Sequence, residues 1–171
     1  IVNQVLSYKR AMVILCDQTE SPLQEMKLEV EDKFPNICTK ICIADIRNYR
    51  RMYKLFDDYR PEVVFHAAAY KHVPMMEENP SEAVQANVLG TKHVADLSVL
   101  FGTGKFVMVS TDKAVNPSNI MGTTKRIAEI YIQSLKDSPA NNKHGVPTTR
   151  FVTTRFGNVL GSNGSVIPRF Q

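Results

Sequence analysis

Phe106-Val107-Met108-Val109-Ser110-Thr111-Asp112-Lys113 passes directly from four apolar residues to four polar ones. A short continuous apolar run suits a strand buried on both faces, the kind found in parallel sheets. Such sheets place their ligands at the carboxyl ends of the strands, where this run turns polar. The pattern repeats outward in both directions. Ala11 to Cys16 ends at Asp17, Ile37 to Ala44 ends at Asp45, and Val63-Val64-Phe65 runs into His66-Ala67-Ala68-Ala69. Downstream, Thr149 to Phe156 reads as a final strand and Gly157 to Gly164 as a glycine-rich turn.

Helical patterns fill the gaps. Ser21-Pro22-Leu23-Gln24 opens a helix, with Ser21 as cap, Pro22 at the first helical position and Gln24 completing a capping box. Pro35 stops it. Asn48 to Tyr59 carries Met52, Leu55, Phe56 and Tyr59 on one stripe. Further helices run from Asn79-Pro80 to about Leu100 and from about Asn119 to Leu135. Asp137 to Pro147 reads as a loop, and Ile1 to Lys9 as the tail of a helix. Strands alternating with helices at this spacing imply right-handed crossovers. The class is α/β, with a doubly wound parallel sheet, Rossmann-like, over a single domain at 1–171.

The 171 residues are 43% hydrophobic and 22% charged, a globular composition long enough to bury a core. The net charge of +4 comes without a basic stripe, so nucleic acid is not expected as a partner. No apolar run approaches the roughly 20 residues of a membrane helix, and no membrane contact is expected from this stretch. Cys16, Cys38 and Cys42 make an odd count without a secretory signal, which fits a reducing compartment. Cys38 and Cys42 read as buried thiols in a strand rather than as metal ligands, and no metal is expected.

The strand ends supply the candidate site. An acid such as Asp17, at the end of a second strand, accepts hydrogen bonds from adenosine ribose hydroxyls in a dinucleotide-binding fold. Its charge would repel a 2′-phosphate and favour NAD over NADP. Asp45-Ile46 could hold the adenine amino group and ring face, or Asp45 could cap the next turn; the residues leave both open. Ala67, Ala68 and Ala69 let a ligand approach the backbone. Lys125 lies four residues after Met121, so both share a helix face. In short-chain dehydrogenases this spacing holds a Tyr-x-x-x-Lys pair, and here Met121 takes the tyrosine position. The glycine fingerprint expected before Asp17 is not in the sequence. The expectation is therefore a chain that starts just downstream of the first strand and its glycine loop, a partial NAD-binding domain lacking most of a substrate domain.

Five segments taken together carry a resemblance. They are His66-Ala67-Ala68-Ala69-Tyr70-Lys71-His72-Val73-Pro74, Asn87-Val88-Leu89-Gly90-Thr91, Val109-Ser110-Thr111-Asp112-Lys113-Ala114, Met121-Gly122-Thr123-Thr124-Lys125-Arg126 and Arg155-Phe156-Gly157-Asn158-Val159-Leu160-Gly161-Ser162. The series resembles the polysaccharide biosynthesis family of extended short-chain dehydrogenases, which includes bacterial UDP-N-acetylglucosamine 4,6-dehydratases. Met121 is similar to the membrane-associated branch of that family. The resemblance implies bound NAD and a UDP-sugar substrate. It implies C4 oxidation, loss of water across C5 and C6, and return of the hydride to C6. By the same resemblance Asp112 is the acid at C6, Lys113 the base at C5, Thr111 a partner of the C4 oxygen, and Lys125 the holder of the nicotinamide ribose. Tyr70 and Lys71 border the sugar. Arg155, Asn158, Ser162 and Ser165 contact the sugar or the diphosphate, and Arg155 could pair with a carboxylate or a phosphate. The full protein is expected to be a homo-oligomer, with this stretch a cytoplasmic domain of a chain that membrane helices anchor. A nucleotide-sugar 4-epimerase and a non-catalytic nucleotide-sugar-binding domain are the competing readings.

Overall fold

The computed structural model describes residues 1–8, 12–142 and 148–157. Strands β1 (Met12–Asp17) and β2 (Cys38–Ile43) pair in parallel, from Met12 opposite Cys38 to Asp17 opposite Ile43. Strands β3 (Val63–His66), β4 (Lys105–Thr111) and β5 (Arg150–Phe156) form a second parallel sheet in that order. Parallel pairing requires crossovers, and the helices supply them. The helices are α1 (Val2–Leu6), which precedes β1, and then α2 (Glu20–Lys33), α3 (Tyr49–Tyr59), α4 (Val73–Glu78), α5 (Pro80–Ala83), α6 (Thr91–Leu100) and α7 (Ile120–Lys136) between the strands. The Rossmann-like α/β class read from the sequence is the class observed.

The core explains the apolar runs. Phe106 and Met108 of β4 have no exposed surface, and they pack with Phe56 of α3, Leu97 of α6 and Ile132 of α7. Each such side chain contributes about 1.5–3 kcal/mol on burial. One step further along the same face of β4 is Ser110, also buried. The strand thus delivers a polar side chain beneath α7 and ends at Thr111.

Several boundaries differ from expectation. Ser21 does not cap α2. Asp17 Oδ1 accepts a hydrogen bond from the Thr19 backbone N–H at 2.9 Å, so the turn closes earlier and Thr19 becomes the N-cap. Pro22 then falls within the first turn, where it blocks no helical hydrogen bond. Helix α4, in a stretch to which the sequence pattern assigns no element, starts with Pro74 in its first turn. The 80–100 helix is interrupted by a wide π-helical turn, Val84–Gly90. Within it Asn87 is fully buried, and the Thr91 hydroxyl donates to the Asn87 carbonyl at 2.7 Å. A Cβ at Gly90 would lie 2.5 Å from Ile46 Cδ1, so a side chain there would force Ile46 to move. The cysteines are free, and Cys38 is exposed rather than buried because it opens β2; only Cys42 lies inside. Residues 143–147 of the expected loop, and the glycine turn beyond Gly157, lie outside the described residues.

Candidate active site

Two groups of residues stand at the carboxyl ends of the strands. The first lines a cavity of about 180 Å³ that brings together Asp17, Asp45, Ile46, Ala67, Ala68, Ala69 and Tyr70. Asp17 closes β1 and keeps its second carboxylate oxygen outside the Thr19 turn. Asp45 is more fully engaged. Its Oδ1 accepts the Arg47 backbone N–H at 2.8 Å and its Oδ2 accepts Arg47 Nε at 2.8 Å, so it does cap the turn after β2. The guanidinium of Arg47 holds the Asp45 carboxyl below the ordinary aspartate range, against an opposing effect of burial. Arg47 reaches on to Glu82 of α5 at 2.6 Å.

Asn87 is a residue the site reading missed. Its Oδ1 accepts the Tyr70 N–H at 2.9 Å, and its Nδ2 donates to the Tyr70 carbonyl at 3.1 Å and to Thr124 Oγ1 at 3.0 Å. One side chain therefore fixes the backbone that follows the alanines and ties it to α7. The available signal was an amide among apolar neighbours in a helix, since a buried amide must find partners. Lys71 and His72 follow on the exposed side.

The second group lies where β4 ends. Thr111 Oγ1 donates to Asp112 Oδ1 at 2.9 Å, and Lys113 Nζ approaches the same oxygen at 3.3 Å. The Thr111 hydroxyl first, and Lys113 second, hold the Asp112 carboxyl below its ordinary range. The trio is solvent-accessible, with the Asp112 side chain 57% exposed. Beneath it, α7 begins with Asn119 as N-cap, its Oδ1 accepting the Gly122 N–H at 2.8 Å. The Lys113 carbonyl sits so close over Gly122 that a side chain there would collide with it. Gly157, after β5, faces Asp112.

Met121 and Lys125 are brought under this trio, one helical turn apart. Met121 is buried with Met76 and Ala83, and Tyr70 packs against the same cluster. Met121 therefore acts as packing that joins α4, α5 and α7. Lys125 is 4% exposed, and its Nζ donates to the Val109 carbonyl at 2.9 Å. Burial pushes the Lys125 ammonium down to about 8, partly offset by Glu129. His66, at the end of β3, is buried with its Nε2 2.8 Å from Thr91 Oγ1. Burial first, and the charge of Lys125 second, bring it down to about 3, so it is neutral at pH 7.

Arg155 does pair with a carboxylate, but one of the protein itself. Its Nε and Nη2 donate to Glu129 at 2.9 and 2.6 Å. Asn158, Ser162 and Ser165 lie outside the described residues. Among the described residues no cluster of metal-ligating side chains occurs, and no helix is long and apolar enough to cross a membrane.

A family model described as polysaccharide biosynthesis protein matches residues 1–171. The chain belongs to that family. Within the polysaccharide biosynthesis family, the chain is 47% identical over its whole length to the capsular polysaccharide biosynthesis protein CapD of Staphylococcus aureus, and covers 28% of that protein. It is 37% identical to an inverting UDP-N-acetylglucosamine 4,6-dehydratase of Campylobacter jejuni, over 96% of this chain and 46% of the relative. A UDP-glucose 4-epimerase of Rickettsia bellii is 38% identical over 88% of this chain and 41% of its own. The X-ray structure of Pen from Bacillus thuringiensis superposes on 99% of the chain with a TM-score of 0.85 and 38% identity, and the chain spans 51% of it. The chain thus covers between 28% and 51% of these relatives' lengths. Two of these relatives, the dehydratase and the epimerase, are named for action on UDP-sugars.

Proposed function

We propose that the protein this chain belongs to is an NAD-dependent nucleotide-sugar 4,6-dehydratase acting on a UDP-N-acetylglucosamine type of substrate. The observation that carries the reading is the Thr111–Asp112–Lys113 trio: a hydroxyl, a carboxylate and an ammonium within hydrogen-bonding reach at one strand end. An epimerase has no need of an acid and base at C5 and C6, and it leans on a tyrosine where this chain has buried Met121.

The residues present fit a dinucleotide. The cavity offers Asp17 as an acceptor for ribose hydroxyls, Ile46 as an apolar wall and the alanines for close approach. By the same reading Lys125 holds the nicotinamide ribose. The acid at position 17 favours NAD over the 2′-phosphorylated form. When bound, the nicotinamide supplies a hydride acceptor and donor.

The trio supplies the proton chemistry. Asp112 is ionised and already accepts the Thr111 proton. The C4 hydroxyl of the sugar therefore passes its proton to Thr111 Oγ1, whose own proton moves to Asp112 as C4 is oxidised. The 4-keto group acidifies C5, and Lys113, which gives one ammonium proton to solvent as the sugar binds and regains it on product release, takes the C5 proton as the amine. The C6 hydroxyl then leaves as water with the proton that Asp112 has gained. Once C6 carries its new hydride, Lys113 returns a proton to C5. Both groups end as they began, so no further acid or base is consumed. Met121 cannot take part, and the relay does not need it.

The test is incubation of the full-length protein with UDP-N-acetylglucosamine in heavy water. A product lighter by one water, with deuterium at C5, supports the reading. C4 inversion without water loss, or binding without turnover, overturns it.

A further inference from the structure

Glu129 is the other buried ionic group of α7, and nothing in the proposed chemistry uses it. It stands one helical turn from Lys125 and has no exposed surface. A carboxylate in that position is costly unless paired and hydrogen-bonded. Arg155 pairs with both of its oxygens from the end of β5, in the two-pronged geometry that guanidinium and carboxylate favour. Arg126 adds a third contact at 3.1 Å. Burial opposes ionisation, but Arg155, Ser110 and Arg126 together hold the Glu129 carboxyl down to about 2. The Ser110 hydroxyl is buried here, close enough to act on Glu129 though without a well-formed hydrogen bond.

We propose that Glu129, pinned by Arg155, is a positioning residue for Lys125. The pinned carboxylate fixes the rotation of α7 against β4 and β5 and gives Lys125 its local counter-charge. Lys125 is thereby held as a cation against the Val109 carbonyl, with its remaining N–H bonds directed to the cofactor. This rests on the cofactor reading of Lys125 above. Titratable and charged groups stand on every element packed there. They are Glu129 and Arg126 on α7, Arg155 on β5 and neutral His66 on β3. The Lys113 backbone comes from the turn after β4, and Glu77 of α4 accepts the Ile120 N–H at 2.7 Å. The Lys92–Asp96 pair of α6 lies further along, beside Tyr131. Only Glu129 supplies Lys125 with an offsetting negative charge from its own helix.

The pair predicts shifts of opposite sign. Glu129→Gln removes the counter-charge, so Lys125 loses its proton more readily. Arg155→Met keeps Glu129 ionised through Arg126 but no longer neutralises it, so Lys125 holds its proton more tightly. The measurement is the titration of Lys125 in the cofactor-free full-length protein, followed by NMR with ¹³Cε-labelled lysine. Wild type should titrate at about 8. Each variant should change the proton affinity by about threefold or more, in opposite directions. Arg155→Lys should restore the wild-type value. NAD affinity in Glu129→Gln should fall more between pH 6.5 and 8.5 than it does in wild type. Unchanged titration in both variants, or shifts of the same sign, would overturn the proposal. If Glu129→Gln does not fold, the Arg155→Met and Arg155→Lys pair decides. The titration needs neither sugar nor turnover, so it stands apart from a failure of the dehydratase reading.

Discussion

Asp45 and Asp112 both follow parallel strands at their carboxyl ends, yet they are held in different ways. Asp45 is closed: a backbone amide and a guanidinium occupy its oxygens, and that guanidinium is clamped in turn to Glu82. Asp112 is wired to a hydroxyl and an ammonium that both carry mobile protons, and it stands open to solvent. The lesson concerns proton mobility. A carboxylate locked by arginine shapes a wall, because the guanidinium does not give up its proton near neutral pH. One linked to threonine and lysine can pass a proton on.

The largest effects should fall on the open side. In the full-length protein, Asp112→Asn should cut turnover about 10²- to 10⁴-fold and also stop the first oxidation, because the relay from Thr111 loses its acceptor. Lys113→Met should cut turnover by a similar factor but leave oxidation at C4 intact. Single-turnover absorbance of the reduced nicotinamide, together with exchange of the C5 proton, separates the two. If Arg47→Met, on the closed side, proves as damaging to turnover as Asp112→Asn, the contrast between the two aspartates fails.

A second effect concerns the cost of the cation under the trio. The folded protein holds Lys125 at about 8, below the ordinary lysine value, so the unfolded chain binds more protons between about 8 and 10.5. Its burial penalty is therefore present in full below pH 8 and is relieved as pH rises to about 10.5. Lys125→Met should stabilise the protein at pH 7 by up to about 3 kcal/mol while abolishing cofactor binding. Thermal melting at pH 7 and pH 10 checks it, since the gain should shrink at the higher pH.

Asn87→Ala comes next. Two backbone groups of Tyr70 lose their partner, while the Thr124 hydroxyl loses a donor but keeps the Met121 carbonyl, at a cost of about 1–3 kcal/mol. The melting temperature should fall, and the cofactor cavity should loosen with it. The smallest effect is expected at Asp17. Asp17→Ala should reduce discrimination against the 2′-phosphorylated dinucleotide by about tenfold, roughly 1.4 kcal/mol in a direct binding competition. A wild-type preference for that dinucleotide would detach Asp17 from the ribose.

The strands were legible because apolar runs ending in Asp17, Asp45, His66 and Ser110 carry the parallel-sheet pattern on their face. The Thr111–Lys113 trio was legible because its members are consecutive. The clasps were not. Asn87 meets Tyr70 and Thr124 across 17 and 37 residues, and Glu129 meets Arg155 across 26. Periodicity reports which face of an element is apolar, not which polar groups meet across it. The start of α2 was misread for a local reason: Ser21 and Asp17 both offered an oxygen, and only geometry shows that Asp17 reaches the backbone first.

The wide turn at Val84–Gly90 carries one more consequence, for length variation among homologues. Tightening it to ordinary α-helical spacing by deleting one residue would rotate Asn87 by about 100° relative to Thr91. Asn87 could then no longer grip Tyr70 while Thr91 keeps its hold on His66. Insertions and deletions in related chains should therefore avoid 84–90. A chain shortened there should have lost one of the two residue pairs along with the missing position.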